Sequence, residues 1–362
     1  MSDITEPNIH HERRYFYLLD LLRLMSMVAI ISFHANEFIF YTLNFPLTEK
    51  TNIFPYFDIY SRWIPFSGQT IIALSFFLWG IRKKSFDTFT LYLLLFIFGH
   101  IIVTANFNEP SMILKSIEWD IYPFLAISFL VIRFSRKFSS TSKKALILVS
   151  GLLLFIQPNI IQSNSSLNIF NGMLWSTCSS GGSGAWPLFP WLALPILFYH
   201  GGEVVRENIG QFETFQSWEK FFWPVILCLS LFALISFYPG SLYDVHIGSK
   251  FYCQMLNLAP MEFWSYFVWV LFILRISLIK SFNVLISKKW LFRNLRKLYW
   301  NSHFGLTYIY HILLLYLGAQ FDKFFFENPL IFDLYFIMLF PLPELMARVL
   351  KKTFQSLRSI KK

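Results

Sequence analysis

Residues 18–38 read LLDLLRLMSMVAIISFHANEF. The run is apolar enough to cross a membrane, yet it holds Asp20, Arg23 and His34. Ionisable side chains are costly in hydrocarbon, so groups at that depth face a protein interior or a wet cavity. At about 100° per residue, the path from Arg23 to His34 closes nearly three helical turns, which puts both side chains on one face roughly 16 Å apart. Asp20 lies one turn before Arg23 and Glu37 one turn after His34, close to the same stripe. An acid, a guanidinium and an imidazole thus line one side of a mostly apolar helix.

The rest of the chain has the same character. Of 362 residues, 55% are hydrophobic, 20% aromatic and only 14% charged. A mean hydropathy of +0.50 excludes an ordinary soluble domain and predicts an all-α, polytopic membrane protein. Ten candidate spans follow, at about 16–36, 61–81, 87–106, 118–134, 145–158, 187–201, 221–238, 260–279, 303–321 and 328–349. No soluble stretch between them is long enough to bury a core of its own, so residues 1–362 form one membrane-embedded domain.

The net charge of +10 does not form a nucleic-acid patch, because the basic residues fall in the gaps between spans. Of the 31 lysines and arginines, only Arg23, Lys50, Arg62, Lys115, Lys250 and Lys323 lie away from the N-terminus, the even-to-odd gaps with the span ends that border them, and the tail. The positive-inside rule then places both termini in the cytoplasm. The first fifteen residues are polar and the first apolar run carries Asp20 and Arg23, so no cleavable signal is expected there. No internal repeat is visible, which weighs against an inverted-repeat transporter.

Cysteine usage predicts no metal site. Cys228 falls within a span, whereas Cys178 and Cys253 fall in outer gaps where an oxidising compartment would let them pair. Asn164-Ser165-Ser166 is a glycosylation acceptor pattern on the same side. No Gly-rich phosphate loop is present, so nucleotide hydrolysis is not expected.

His34 is the first candidate for chemistry, since an imidazole can take a proton from a hydroxyl or amine near neutral pH and return it. Glu37 could fix its tautomer. A plainer reading makes His34 an interfacial histidine bonded to a carbonyl, and Arg23 with Asp20 a structural ion pair. Two costly groups on one stripe favour a shared role.

The Arg-x10-His spacing of Arg23 and His34, after the Leu-Asp-x-x-Arg run, resembles the signature of the transmembrane acyltransferase superfamily. That superfamily includes the acyltransferase-3 proteins and the heparan-α-glucosaminide N-acetyltransferase-like proteins. Four more stretches resemble its spans in order: IIALSFFLWGIRKK (71–84), EWDIYPFLAISFLVI (118–132), WPLFPWLALPILFYHGGE (186–203) and LTYIYHILLLY (306–316).

The resemblance implies acyl-CoA, chiefly acetyl-CoA, as a cytoplasmic co-substrate, and a glycan or glycolipid acceptor on the other side. It implies an O- or N-acyltransferase of a bacterial inner or plasma membrane. His34 would be the catalytic residue, as base or as acyl carrier, and Arg23 would line the donor channel. Asp20, Glu37, His311 and Trp119 are the candidate substrate-binding residues. Arg82, Lys83 and Lys84 are the candidate CoA-binding cations, although the same cations would also serve as topology determinants. The chain departs from the family in having Ser75-Phe76 for the usual Ser-Gly pair and few arginines after the second span.

His100, Asn106, Glu118, Asp120, Asp58 and Arg62 would join His34 and Glu37 around an outer vestibule, with Trp63, Trp119 and Trp186 for stacking on sugar. Those tryptophans also fit an interfacial belt. Asn36, Tyr60 and Gln69 are candidate oxyanion donors. Asp333 and Glu344 are expected to pack helices together. Besides the acyltransferase, two other classes remain: a transporter or flippase using the polar stripe as its path, and a sensor or assembly protein without the chemistry. The acceptor, the acyl group, the bond formed and self-association are left open.

Overall fold

The computed structural model describes residues 17–43, 67–82, 121–160, 188–237, 260–287, 304–319 and 321–360. Among the described residues all regular structure is helical, and there is no strand. The helices are α1 (Tyr17–Leu43), α2 (Ser67–Arg82), α3 (Ile121–Ser135), α4 (Ser140–Ile160), α5 (Leu188–Trp191), α6 (Ala193–Glu207) and α7 (Ile209–Phe212). They continue with α8 (Glu219–Phe237), α9 (Pro260–Leu278), α10 (Lys280–Ser287), α11 (Phe304–Ala319), α12 (Asp322–Glu327), α13 (Pro329–Met338) and α14 (Pro341–Ile360). Every predicted apolar segment except 87–106, which lies outside the described residues, coincides with a helix or a broken pair of helices.

Serines inside these apolar helices satisfy themselves locally. Ser32, Ser128, Ser230 and Ser277 donate their hydroxyls to the carbonyls of Val28, Phe124, Leu227 and Leu274, one turn back, at 2.6–2.9 Å. A hydroxyl tied to its own helix needs no water, which suits an apolar environment.

Two apolar clusters hold the bundle. One joins α2, α3, α5, α6 and α9 through residues such as Leu74, Phe77, Phe124, Trp191, Phe198 and Leu274. The other joins α1, α11 and the segment 325–339 through Met27, Ile31, Ile312, Leu315, Phe332 and Phe336. Helix α1 borders both, giving Leu19 to the first and Met27, Ile30, Ile31 and Ala35 to the second. The polar stripe of α1 therefore runs from one cluster into the other.

Helices α2 and α6 touch backbone to backbone. A Cβ at Gly80 would stand 2.1 Å from the Tyr199 carbonyl oxygen, and one at Gly202 would stand 2.3 Å from that of Phe77. Only glycine permits this approach, the usual device where helices associate without a solvent-driven hydrophobic force.

Two predicted spans end in or contain a bend. The segment 260–279 is one continuous helix, α9, that meets α10 at an 85° bend, and 328–349 is split by a 43° bend into α13 and α14. Pro341 and Pro343 explain the second break, since proline restricts the residue before it and removes a backbone donor. The first is pinned by Arg275, whose guanidinium donates to the Glu219 carboxylate at 2.5 and 2.7 Å and to the carbonyls of Phe212 and Thr214 at 2.7 Å. Among the described residues no single helix is long and apolar enough to cross a membrane, whereas each of these two bent pairs is, by length and composition.

Among the described residues, large apolar side chains are exposed and several ionisable ones are buried. Phe221, Phe232, Leu148 and Leu330 are 81%, 72%, 64% and 65% exposed, while Asp20, Arg23, His200, Glu203, Arg275, His311 and Glu344 are buried.

Candidate functional site

The tertiary structure brings His34 of α1 against His311 of α11. Nδ1 of His34 lies 3.1 Å from Nε2 of His311, across 277 residues of sequence. The rings are within 4° of parallel with centroids 5.4 Å apart. A nitrogen contact that short with centroids that far apart means the rings meet edge to edge, along an N–H···N hydrogen bond. His311 is fully buried and His34 partly so. Two groups that the sequence placed separately, one as a base and one as a substrate contact, therefore form one unit.

At the other end of the same face, Asp20 sits between two guanidinium groups. Arg23 Nη1 approaches Asp20 Oδ1 to 3.6 Å, and Arg82 Nη2, from the end of α2, approaches Oδ2 to 3.9 Å. These are ion-pair distances rather than hydrogen bonds. One carboxylate thus faces two guanidiniums. Arg206 extends this region, donating to the Gly80 carbonyl at 2.7 Å. The expected CoA-binding Arg82 thus joins Asp20 and Arg23, while Lys83 and Lys84 lie outside the described residues.

A second polar knot was not foreseen from sequence. His200 Nε2 is 2.8 Å from Ser135 Oγ, and His200 Nδ1 is 2.9 Å from Glu203 Oε2. Lys143 Nζ reaches the same Glu203 oxygen at 3.1 Å, and Arg206 stands 3.8 Å from the other. Burial pushes the Glu203 carboxyl up, but hydrogen bonds from His200 and Lys143, with their positive charge, outweigh this and hold it below its ordinary value. An ionised carboxylate only accepts, so Nδ1 of His200 carries a proton toward Glu203.

The order Ser135–His200–Glu203 resembles a nucleophile, a base and an orienting acid. Ser135 is only 3% exposed and His200 not at all, which closes the hydroxyl to substrate. The knot instead ties α3 and α4 to α6. The three-residue spacing of His200 and Glu203 was its only trace in the sequence.

The remaining expected residues are placed as follows. Glu37 falls in α1 but its side chain, like that of Asn36, lies outside the described residues, as do Trp119, Tyr60, Trp63, Trp186, His100, Asn106, Glu118, Asp120, Asp58 and Arg62. The same holds for Cys178, Cys253 and Asn164. Gln69 is half-buried near the start of α2. Glu344 does pack helices together: it accepts from Thr307 of α11 at 3.2 Å and from Arg348 at 3.1 Å. Asp333 is buried in α13. Among the described residues no cluster of three His, Cys, Asp or Glu side chains could hold a metal ion.

No protein-family model, no curated protein and no solved structure matches this chain.

Proposed function

We propose that this chain is an integral membrane acyltransferase with ten spans and both termini in the cytoplasm, in a bacterial inner or plasma membrane. It would move an acyl group, chiefly acetyl, from cytoplasmic acyl-CoA to a hydroxyl or amine of an extracytoplasmic glycan or glycolipid. The observation that carries this reading is the hydrogen-bonded pair of His34 and His311 on the helix face that also holds Arg23. The ordered motif resemblance adds to it.

Arg23 and Arg82 offer cationic contacts to a polyanionic donor, relieved of part of their charge by Asp20. The roughly 16 Å rise from Arg23 to His34 is the distance along α1 that the pantetheine arm would have to span. His34 accepts the proton of the acceptor hydroxyl or amine, which attacks the thioester carbonyl. The C–S bond breaks, and the leaving thiolate takes the proton back from His34.

A second reading, a transporter or flippase, draws on the two bent helix pairs, because broken helices build many transport sites. Radiolabelled acetyl-CoA given to membranes separates the two. Wild-type membranes should label an extracted glycan or lipid-linked glycan, and His34→Ala at equal expression should lose about 10²-fold or more of that rate. Equal labelling by both would remove His34 from the chemistry. Binding of CoA without any transfer, together with solute movement across reconstituted vesicles, would favour the transporter.

A further inference from the structure

We propose that His311 is the positioning residue that makes Nε2 of His34 the base, by accepting the proton of His34 Nδ1. This rests on the acyltransferase reading and deepens it. Two ring nitrogens 3.1 Å apart can hold one proton between them, so the pair has two neutral arrangements. If His311 Nε2 donates, His34 Nδ1 is the acceptor and His34 Nε2 carries the N–H, which leaves His34 no lone pair for an incoming hydroxyl. If His34 Nδ1 donates, Nε2 keeps its lone pair and is a base. Only the second arrangement supports the reaction.

The near-coplanar rings suit this role. An in-plane lone pair on His311 Nε2 meets the His34 Nδ1–H head-on, and the 4° interplanar angle keeps that alignment. When His34 Nε2 takes up a proton, His311 steadies the imidazolium through the shared hydrogen bond at Nδ1. The logic is that of an orienting acid behind a catalytic histidine, carried out by a neutral ring.

In the step itself, the acceptor O–H or N–H gives its proton to His34 Nε2 as its heavy atom bonds to the thioester carbon. The tetrahedral intermediate expels the CoA thiolate, which receives that proton from Nε2. His34 Nδ1–H stays hydrogen-bonded to His311 throughout, so the pair ends as it began and the products are acylated acceptor and CoA thiol.

Two measurements test this on the full chain in lipid nanodiscs. Nitrogen-15 spectra of histidine-labelled protein, assigned with His34→Ala and His311→Ala, should show His34 protonated on Nδ1 and coupled through the hydrogen bond to His311. His34 protonated on Nε2 in the wild type would overturn the proposal. Release of CoA thiol from acetyl-CoA should fall about 10²-fold in kcat for His311→Ala, with KM for acetyl-CoA within about twofold. His311→Gln offers an amide oxygen to the same proton and should regain at least about tenfold of that loss. Equal defects in both variants would count against a tautomer role. A wild-type rate in His34→Ala would remove His34 from the chemistry and overturn the proposal, whereas no thiol release by the wild type would sink the acyltransferase reading itself, and the spectra would still report which nitrogen holds the proton.

Discussion

Ionisable side chains in this chain are buried in company. His34 has His311, Asp20 has Arg23 and Arg82, His200 has Ser135 and Glu203, and Glu219 has Arg275. The physical reason is uniform: a polar group removed from water costs several kcal/mol unless a partner replaces the lost hydration, by roughly the amounts seen for buried amides and charges. Glu203 carries a consequence for pH. Its carboxyl titrates below the ordinary 4.5 in the folded chain, so between the two values the unfolded chain binds more protons. The stability it contributes is complete above 4.5 and is lost as pH falls through the lowered value. The acid limb of the thermal midpoint against pH in detergent should be shallower for Glu203→Gln than for wild type. The Glu219 carboxyl, held low by the hydrogen bond from Arg275, should preserve part of that limb. Identical limbs would show that Glu203 does not couple to folding.

At the scale of elements, the contact between α2 and α6 depends on two hydrogen atoms where other residues carry a Cβ. The neighbours Gly201 and Gly202 give a controlled comparison. Nothing lies within 4 Å of a Cβ built at Gly201, whereas one at Gly202 meets backbone from three residues of α2. Gly201→Ala should be neutral or stabilise by up to about 1 kcal/mol, the helix-propensity gain. Gly202→Ala must push the helices apart and should cost about 3 kcal/mol, at the upper end for overpacking. Thermal unfolding of the two variants measures the difference; equal midpoints would mean that α2 and α6 do not cross at these glycines. The clamp on α9 belongs to the same scale: Arg275 also lies over the rings of Phe212 and Phe215, at 5.8 and 5.1 Å, so one side chain fixes the whole turn before α8.

Among the described residues, many large apolar side chains face outward while several charged ones are buried. On α8, Phe221, Val225, Leu229 and Phe232 repeat at helical spacing and are all exposed, and Cys228 lies on the same stripe. An apolar surface of this extent calls for lipid or a partner over it. In membranes, the single-cysteine variant Cys178→Ser/Cys253→Ser should resist a water-soluble maleimide at Cys228 and react with a lipophilic one. Detergent extraction followed by unfolding should open it to both. Rapid labelling by the water-soluble reagent in intact membranes would place that stripe in water and remove α8 from the lipid boundary.

The apolar segments, their helical state and the shared face of Arg23 and His34 followed from the sequence alone, because hydropathy and the 3.6-residue period are local properties. A packing role for Glu344 was also readable, since a lone acid in an apolar helix needs a neighbour, as Thr307 and Arg348 supply. The sequence could not show that His311 would meet His34, that Arg82 would close on Asp20, or that Ser135, Lys143 and Glu203 would converge on His200. It also did not show the 85° bend that follows one apolar segment or the 43° bend that splits another. Those facts depend on which helix faces which, and that choice was made by long-range fits such as Gly80 against Tyr199 and Gly202 against Phe77. Pairing energies between residues hundreds of positions apart leave no periodic mark in the chain; they exist only once the helices have packed.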